Sequence, residues 1–447
     1  MAIGATAVWE VRESSGSNTN GGFYTSGGTD YSQQDSAQLS VSDAVTNTTT
    51  TITSATGGFT AAMVGNGLYL SGDAEWYEIA TYVSGNEITV DRATNDTGGG
   101  KTLNVGGALG GSSDGSGLQI AADQMVDGNI IYVKDNFQVT AAIDFDKAEV
   151  GNAGRRIVGY SGTRSQDITS NTDFVTVTKT GAVDDIFYIS QNRYYFSNFA
   201  FDGADRHNIN DVAGLNTWVN LKSENAGSMN FNLHTSSRAF YLYSNNSGDD
   251  GIDLGNDSHL YYSFIKDANG DAITANGDCS VVGNVVKQGT GNGNGINVTG
   301  GAVFIFGNTV DGTNTSSKTG IDFTQHSTIA VNNIISNWNI GIDADADELS
   351  WYGYNNIYNC TTDVQSQTPG VIDLGGNIDV DPQYTNLAGD DLSVGTNVKA
   401  KGPFDGSAFL GSASIPYIDI GAVQRAESAT NVTISGNTTI SGNATIG

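Results

Sequence analysis

Between about residue 185 and residue 365 the chain repeats a short pattern of apolar and polar positions. One phrase runs Tyr261-Tyr-Ser-Phe-Ile-Lys266, Val282-Gly-Asn-Val-Val-Lys287, Phe306-Gly-Asn-Thr-Val-Asp311, Val331-Asn-Asn-Ile-Ile-Ser336 and Gly353-Tyr-Asn-Asn-Ile-Tyr358. Its third position is Ser263, Asn284, Asn308, Asn333 and Asn355, at steps of 21 to 25 residues. A second phrase falls between these: Gly251-Ile252-Asp253, Gly295-Ile296-Asn297, Gly320-Ile321-Asp322 and Gly341-Ile342-Asp343, with Asp271-Ala272-Ile273 filling the remaining slot. Alternation within the phrases predicts two or three short strands per cycle. The Gly, Asn and Asp residues between them predict tight turns that tolerate positive φ.

One such cycle cannot bury its own apolar face, so successive cycles must stack. Strands of neighbouring cycles then pair in parallel about 4.8 Å apart, and Ile252, Ile296, Ile321 and Ile342 form an inward column. A buried asparagine at a sharp turn bonds its amide up and down the stack, satisfying backbone groups that face no water. The predicted class is all-β, a parallel β-helix with one coil per repeat.

The flanks lack this period. Thr50–Ser54, Gly67–Leu70, Trp76–Val83 and Glu87–Asp91 read as short strands of a small antiparallel β module, and Gly98–Gly100 and Gly106–Gly117 as glycine-rich connectors. Leu118–Val126 is the best helix candidate and leads into strands at Gly128–Lys134 and Arg156–Tyr160. At the other end, Asn431-Val-Thr-Ile-Ser-Gly, Asn437-Thr-Thr-Ile-Ser-Gly and Asn443-Ala-Thr-Ile-Gly place Ile434, Ile440 and Ile446 on one line. A single copy of that hexad buries almost nothing, whereas three copies wound about one axis bury all the isoleucines; the alternative is a frayed tail. The chain thus divides into a β module over 1–110, a β-helix over 111–426 and an oligomerisation tail over 427–447.

Composition narrows the partners. Among 447 residues there are 59 glycines and only four prolines, which suits turns and argues against a Pro-rich disordered chain. Forty-eight acids against 19 bases leave a net charge of −29, which repels nucleic acid and anionic lipid. No apolar run approaches a membrane span, and the N-terminal stretch lacks the basic region of a cleaved signal peptide. Cys279 and Cys360 lie roughly 17 Å apart along the predicted stack, too far for a disulfide, and are expected as separate thiols.

On the Val-x-Asn-Asn-Ile-Ile and Gly-Ile-Asp/Asn phrases, the chain resembles the right-handed parallel β-helix proteins of the pectate-lyase-like superfamily. The resemblance implies helix-capped first coils around Leu118–Val126, and a closing segment through Gly376–Tyr384, Asp391–Val394 and Asp419–Ala422. The opening, with Trp9-Glu-Val-Arg12, Asn20-Gly-Gly-Phe23 and Thr29–Asp35, is similar to the start of β-helix proteins encoded by phages and marine viral genomes. The hexad tail resembles the triple-stranded fibrous tips of phage fibres.

Candidate chemistry concentrates on the outward side of the repeat. The residue after each inward isoleucine points out, so Asp253, Thr274, Asn297, Asp322 and Asp343 are expected as an exposed row. Asp322 and Asp343 fall on neighbouring coils, about 5 Å apart, the spacing of the acid and nucleophile of a retaining glycosidase; the competing reading is a solvated turn row. Asp343, Asp345, Asp347 and Glu348 offer oxygens at alternate positions for Ca²⁺, or form a hydrated acidic loop. Ser247–Asp253 with Asp257 and His259 is a second acidic cluster. Trp351, Tyr352 and Tyr354 are candidates for stacking on sugar rings, or for packing at the end of the helix. Lys266 and Lys287 occupy equivalent positions on adjacent coils, as a lyase base would or as surface lysines do. None of the four histidines sits in a Gly-x-Ser-x-Gly context.

Together these features lead to the expectation of a virion protein of tailspike or tail-fibre type. It is homotrimeric, attached to other virion proteins through its N-terminal module, and presents its β-helix to host-surface polysaccharide, with no cofactor unless Ca²⁺. It is assembled in the host cytoplasm and then extracellular. A polysaccharide hydrolase or lyase on the same scaffold is the first alternative, and a secreted bacterial adhesin the second.

Overall fold

The computed structural model describes residues 3–4, 6–148, 151, 153–164, 174–289, 291, 293–313, 318–323, 327–344, 349–366 and 369–394. Three parallel sheets wrap a single apolar core. Sheet 1 climbs from Ile130–Lys134 to Val371–Asp373, sheet 2 from Phe137–Val139 to Asn356–Tyr358, and sheet 3 from Ile143–Phe145 to Thr362–Gln365 through ten strands. This is the parallel β-helix that the repeat predicts. The inward column on sheet 3 runs Phe231, Ile252, Ile273, Ile296, Ile321, Ile342 and Val364 in exact register, and the six residues from Phe231 to Ile342 are fully buried. Each coil thus shields its neighbours' apolar faces, which is what a lone coil cannot do.

Between sheets 1 and 2 the predicted asparagine column forms a ladder. Asn284, Asn308, Asn333 and Asn355 are fully buried. The backbone N–H of Ser263 donates to Asn284 Oδ1 (2.9 Å), that of Asn284 to Asn308 Oδ1 (2.8 Å), and that of Asn308 to Asn333 Oδ1 (2.9 Å); Asn333 donates in the same way to Asn355 Oδ1 (2.9 Å). The side-chain amides donate back to carbonyls of that same preceding coil, Asn308 Nδ2 to Val281 O (2.9 Å) and Asn355 Nδ2 to Ala330 O (3.0 Å), and onward to the next asparagine, Asn308 Nδ2 to Asn333 Oδ1 (3.0 Å). Each asparagine therefore satisfies both the coil before it and the coil after it at a bend where no ladder bond is available. Asn377, within the closing segment that the resemblance implies, adds a further rung by accepting from Asn355 N at 3.0 Å.

The N-terminal module is a closed six-stranded antiparallel barrel between Leu39 and Val105, with Val41, Ile52, Leu68, Ile79, Ile88 and Leu103 inside. Gly98–Gly100, read as a connector, lies within its last strand, Thr97–Val105, because glycine's rarity in strands is a tendency and pairing with Leu39–Asn47 overrides it. A second difference concerns the start of the chain. Val8–Arg12 pairs in parallel with both Ile130–Lys134 and Leu109–Gly110, so it extends sheet 1 below Ile130–Lys134 rather than belonging to the module. An α-helix, α1 (Ser116–Gln124), covers this end of the core with Leu118, Ala121 and Ala122; its Leu118 N–H donates to the buried carboxylate of Glu13 at 2.8 Å.

The predicted closing segment does more than follow the last coil. Ile378, Val380, Tyr384 and Val394 pack against Ile334 on the outside of sheet 2, and Asp390 reaches back to Lys266 (2.9 Å) and Lys287 (2.5 Å). Residues 377–394 thus form a strap along sheet 2. Asp419–Ala422 and the hexads of 431–447 lie outside the described residues.

The ladder yields a direct expectation. Asn333→Ala removes an acceptor from Asn308 and a donor to the buried Ile305 carbonyl. It is expected to cost at least about 2 kcal/mol, since each stranded buried polar group costs roughly 1–3 kcal/mol. Denaturant unfolding of the purified variant measures this, and a loss below about 0.5 kcal/mol would remove the ladder from the list of stabilising features.

Candidate functional site

The outward row on sheet 3 runs Asn210, Asn232, Asp253, Thr274, Asn297, Asp322, Asp343 and Gln365, each the registered partner of the next. Asp322 and Asp343 are neighbours, as the spacing predicts. The row is not the solvated one expected from its alternation. Thr274 and Asp343 are buried (each 8 % exposed), and Asp253, Asn297 and Asp322 are half-buried. A second row, three residues earlier in each coil, leans over it and bonds it diagonally. Asp185 accepts from Asn210 (2.8 Å), Asp250 from Thr274 (2.7 Å) and Asp271 from Asn297 (2.6 Å), while Asn294 donates to Asp322 (3.2 Å). Asp343 Oδ2 accepts from Gln365 at 3.1 Å. Short acceptors and amides one coil apart lock together here, so the row is chiefly a lattice.

That lattice is interrupted at Met229, which stands where Asp250 and Asp271 stand in later coils and offers no amide or hydroxyl to Asp253. Asp253 accepts from Asn276 Nδ2 (3.0 Å), and burial, with Asp250 nearby, pushes its carboxyl up to about 6. His207, close by, is buried against Asp185 at 2.8 Å.

Other predicted residues separate. His259 lies on sheet 1 and Asp253 on sheet 3. Trp351 faces out beside Ile329 and Ile372, Tyr352 pairs with Ala330 and packs on the end of the core, and Tyr354 occupies a corner. Lys266 and Lys287 are engaged by the strap through Asp390. Asp345, Asp347 and Glu348 lie outside the described residues. Among the described residues no three His, Cys, Asp or Glu side chains gather as a metal would require. Cys279 and Cys360 are free thiols, both pushed up to about 11 by burial.

Geometry sharpens at the corners. Among the described residues most corners bend from sheet to sheet through a residue of positive φ, and these residues stack in columns. Between sheets 1 and 2 the column is Asn198, Asn220, Tyr241, Tyr262, Gly283, Gly307, Asn332, Tyr354 and Gly376; between sheets 3 and 1 it is Arg193, Leu215, Ser236, Asp257 and Asp278. Gly and Asn are at home there, whereas other side chains cost about 1–2 kcal/mol each. Costly occupants on neighbouring coils meet at two places, with Tyr354 standing alone further along the stack. Tyr241 and Tyr262 are stacked (centroids 5.8 Å apart, planes at 22°), and each is 55 % exposed. They line a cleft of about 460 Å³ with Phe174, Lys222, Tyr243 and Phe264. Arg193, Leu215 and Ser236 line a second cleft of about 450 Å³ with Thr217, Arg238 and His259. Both clefts flank the same three sheet 1 strands. Backbone strain concentrated beside clefts is typical of functional sites.

These two clefts were not singled out from the sequence, although a signal exists. The second position of the repeating phrase reads Tyr262, Gly283, Gly307, Asn332 and Tyr354. A tyrosine alternating with glycine and asparagine marks a position where backbone, not packing, sets the preferred residue.

No protein-family model matches the chain, and no curated protein matches it in sequence. Among solved structures, the pectate lyase Pel9A is similar over 71 % of this chain and 92 % of its own, at 12 % identity and a TM-score of 0.46. An alginate lyase from Paenibacillus covers 60 % of this chain and 96 % of its own (14 % identity, TM-score 0.39). ORF18 of Geobacillus virus E2 covers 60 % of each (12 % identity, TM-score 0.37). The likeness is one of fold: the parallel β-helix is shared with polysaccharide lyases and glycoside hydrolases.

A pH dependence follows from Asp253. The folded state holds its proton more tightly than the unfolded chain, so the stability this group confers is complete below about pH 4 and lost as pH rises through about 6. Asp253→Asn is expected to raise the unfolding midpoint at pH 7.5 and leave it little changed at pH 4. Midpoints measured across that range test it, and equal effects at both pH values would refute the assignment.

Proposed function

We propose that this chain recognises host-surface polysaccharide as a virion protein of tailspike or tail-fibre type. The observation that carries the reading is the Tyr241–Tyr262 stack. Two aromatic faces are held more than half exposed at backbone positions where glycine or asparagine costs less, and nothing in the core requires them there. The C–H faces of a sugar ring are apolar enough to cover such rings, and the cleft beside them supplies polar groups at its rim. Phe240 and Tyr261, stacked at 5.1 Å, continue the aromatic floor across sheet 1. The barrel is the natural element for attachment to other virion proteins, and residues 427–447 for assembly into a homotrimer.

A second reading, a polysaccharide hydrolase, is favoured by the adjacency of Asp322 and Asp343. In that case release of reducing ends from host polysaccharide stops in Asp322→Asn, and unchanged release removes the pair from the chemistry.

The primary test uses the full chain carrying Tyr241→Asn and Tyr262→Asn together. Affinity for host-surface polysaccharide is expected to fall at least tenfold while the thermal midpoint holds or rises, because two strained corners are relieved. Unchanged affinity would overturn the reading. Light scattering is expected to give a trimer for the full chain and a monomer after removal of 427–447; a monomeric full chain would exclude the fibre-type assembly.

A further inference from the structure

We infer that the second cleft binds an anionic substituent, a carboxylate or a sulfate or phosphate ester, on the saccharide whose ring rests on Tyr241 and Tyr262. The inference builds on the saccharide reading above and adds the class of ligand. Its basis is local charge that runs against the composition of the chain. In a protein of net charge −29 with 19 Lys and Arg, two arginines and a histidine converge on one cleft over successive coils. Arg238 and His259 are registered neighbours on the outer face of sheet 1, with Thr217 on the coil before. Arg193 enters from the corner, at a positive φ that an asparagine would adopt more cheaply. Asp257 is the single acid lining the cleft.

His259 supplies an independent observation. Its Nδ1 is enclosed yet has no hydrogen-bond partner among the described residues. Enclosed in this way, Nδ1 is out of a ligand's reach, so the ring would meet an anion in the cleft through its other nitrogen. Burial and the neighbouring Arg238 lower its basicity, with Asp257 opposing, so the ring is poised to gain a proton when an anion arrives. Arg238 offers the planar fork that matches an oxyanion in two-point contact.

The two clefts are joined by a floor. The strands Arg238–Phe240 and His259–Tyr261 start at the cationic row and end beside Tyr241 and Tyr262. Three residues at about 3.3 Å each put roughly 10 Å between the row and the ledge. A short oligosaccharide spans that distance lying along the strands, with its charge at one edge and an apolar ring face at the other.

The test titrates the full chain at low ionic strength with a uronic-acid oligosaccharide, with the same oligosaccharide after reduction of its carboxylates to alcohols, and with inorganic sulfate and phosphate. Calorimetry gives affinity, and the His259 ring protons, assigned by comparison with His259→Gln, report on the cleft. The carboxylated sugar is expected to bind at least tenfold more tightly than its reduced form, with an advantage that shrinks as salt is added. Arg238→Gln is expected to abolish that advantage and bring the two sugars to equal affinity, whereas Tyr262→Asn weakens both sugars alike and keeps the advantage. Equal affinity for the two sugars, or a preference that survives Arg238→Gln, overturns the inference while leaving saccharide recognition standing. Sulfate or phosphate shifting His259 when neither sugar binds keeps the anion site and overturns the saccharide reading. No response of His259 to any of the four overturns the site.

Discussion

A chain that climbs one strand spacing per coil must turn three corners each time, and the backbone at a corner is buried without a partner in any sheet. The asparagine ladder is the answer at the corner between sheets 1 and 2. Each side-chain amide accepts from a backbone N–H of the coil below and donates to a carbonyl of that same coil, while the asparagine's own N–H donates to the next asparagine along, so the bend is satisfied by its own kind repeated. Everything else in the structure presupposes this. The isoleucine column stays in register because the corners hold every coil at one height, and the outward rows become surfaces because their members are spaced by that same height.

The same constraint explains why the fold was legible in the sequence and much of the site was not. A buried asparagine after a left-handed residue and an isoleucine after a glycine are demands of the backbone, and they recur wherever the coil recurs; Asn284 to Asn355 and Ile252 to Ile342 therefore stand out as periodic columns in the sequence. Outward positions answer to no such repeat. Asp253, Asp322 and Asp343 pointed outward as expected, but that Asp250 and Asp271 would lean across the row depends on how the chain enters each strand, which no period encodes. Val8–Arg12 was missed for another reason: its partner lies more than a hundred residues away, and a strand of five residues gives no hint of where it will pair.

Acidity, finally, has a division of labour. Many of the carboxylates on sheet 3 are spent inside the protein, as acceptors for amides and hydroxyls one coil away. Lys266 and Lys287 are spent likewise, on the strap. Arg238 stands apart from that pattern, as do the tyrosines at the neighbouring corner, and it is departures from an otherwise repetitive scaffold that single out a surface.

The placement of Val8–Arg12 has a mechanical consequence. The barrel is not hung from the end of the solenoid by one linker; the chain leaves from a rung of sheet 1 and returns through Leu109–Gly110 to pair beside that same rung. A pull transmitted from the barrel therefore enters the stack through two adjacent strands, and along their length it loads several backbone hydrogen bonds at once rather than peeling them one by one. A junction built this way passes force and orientation from the barrel into the stacked coils with little slack.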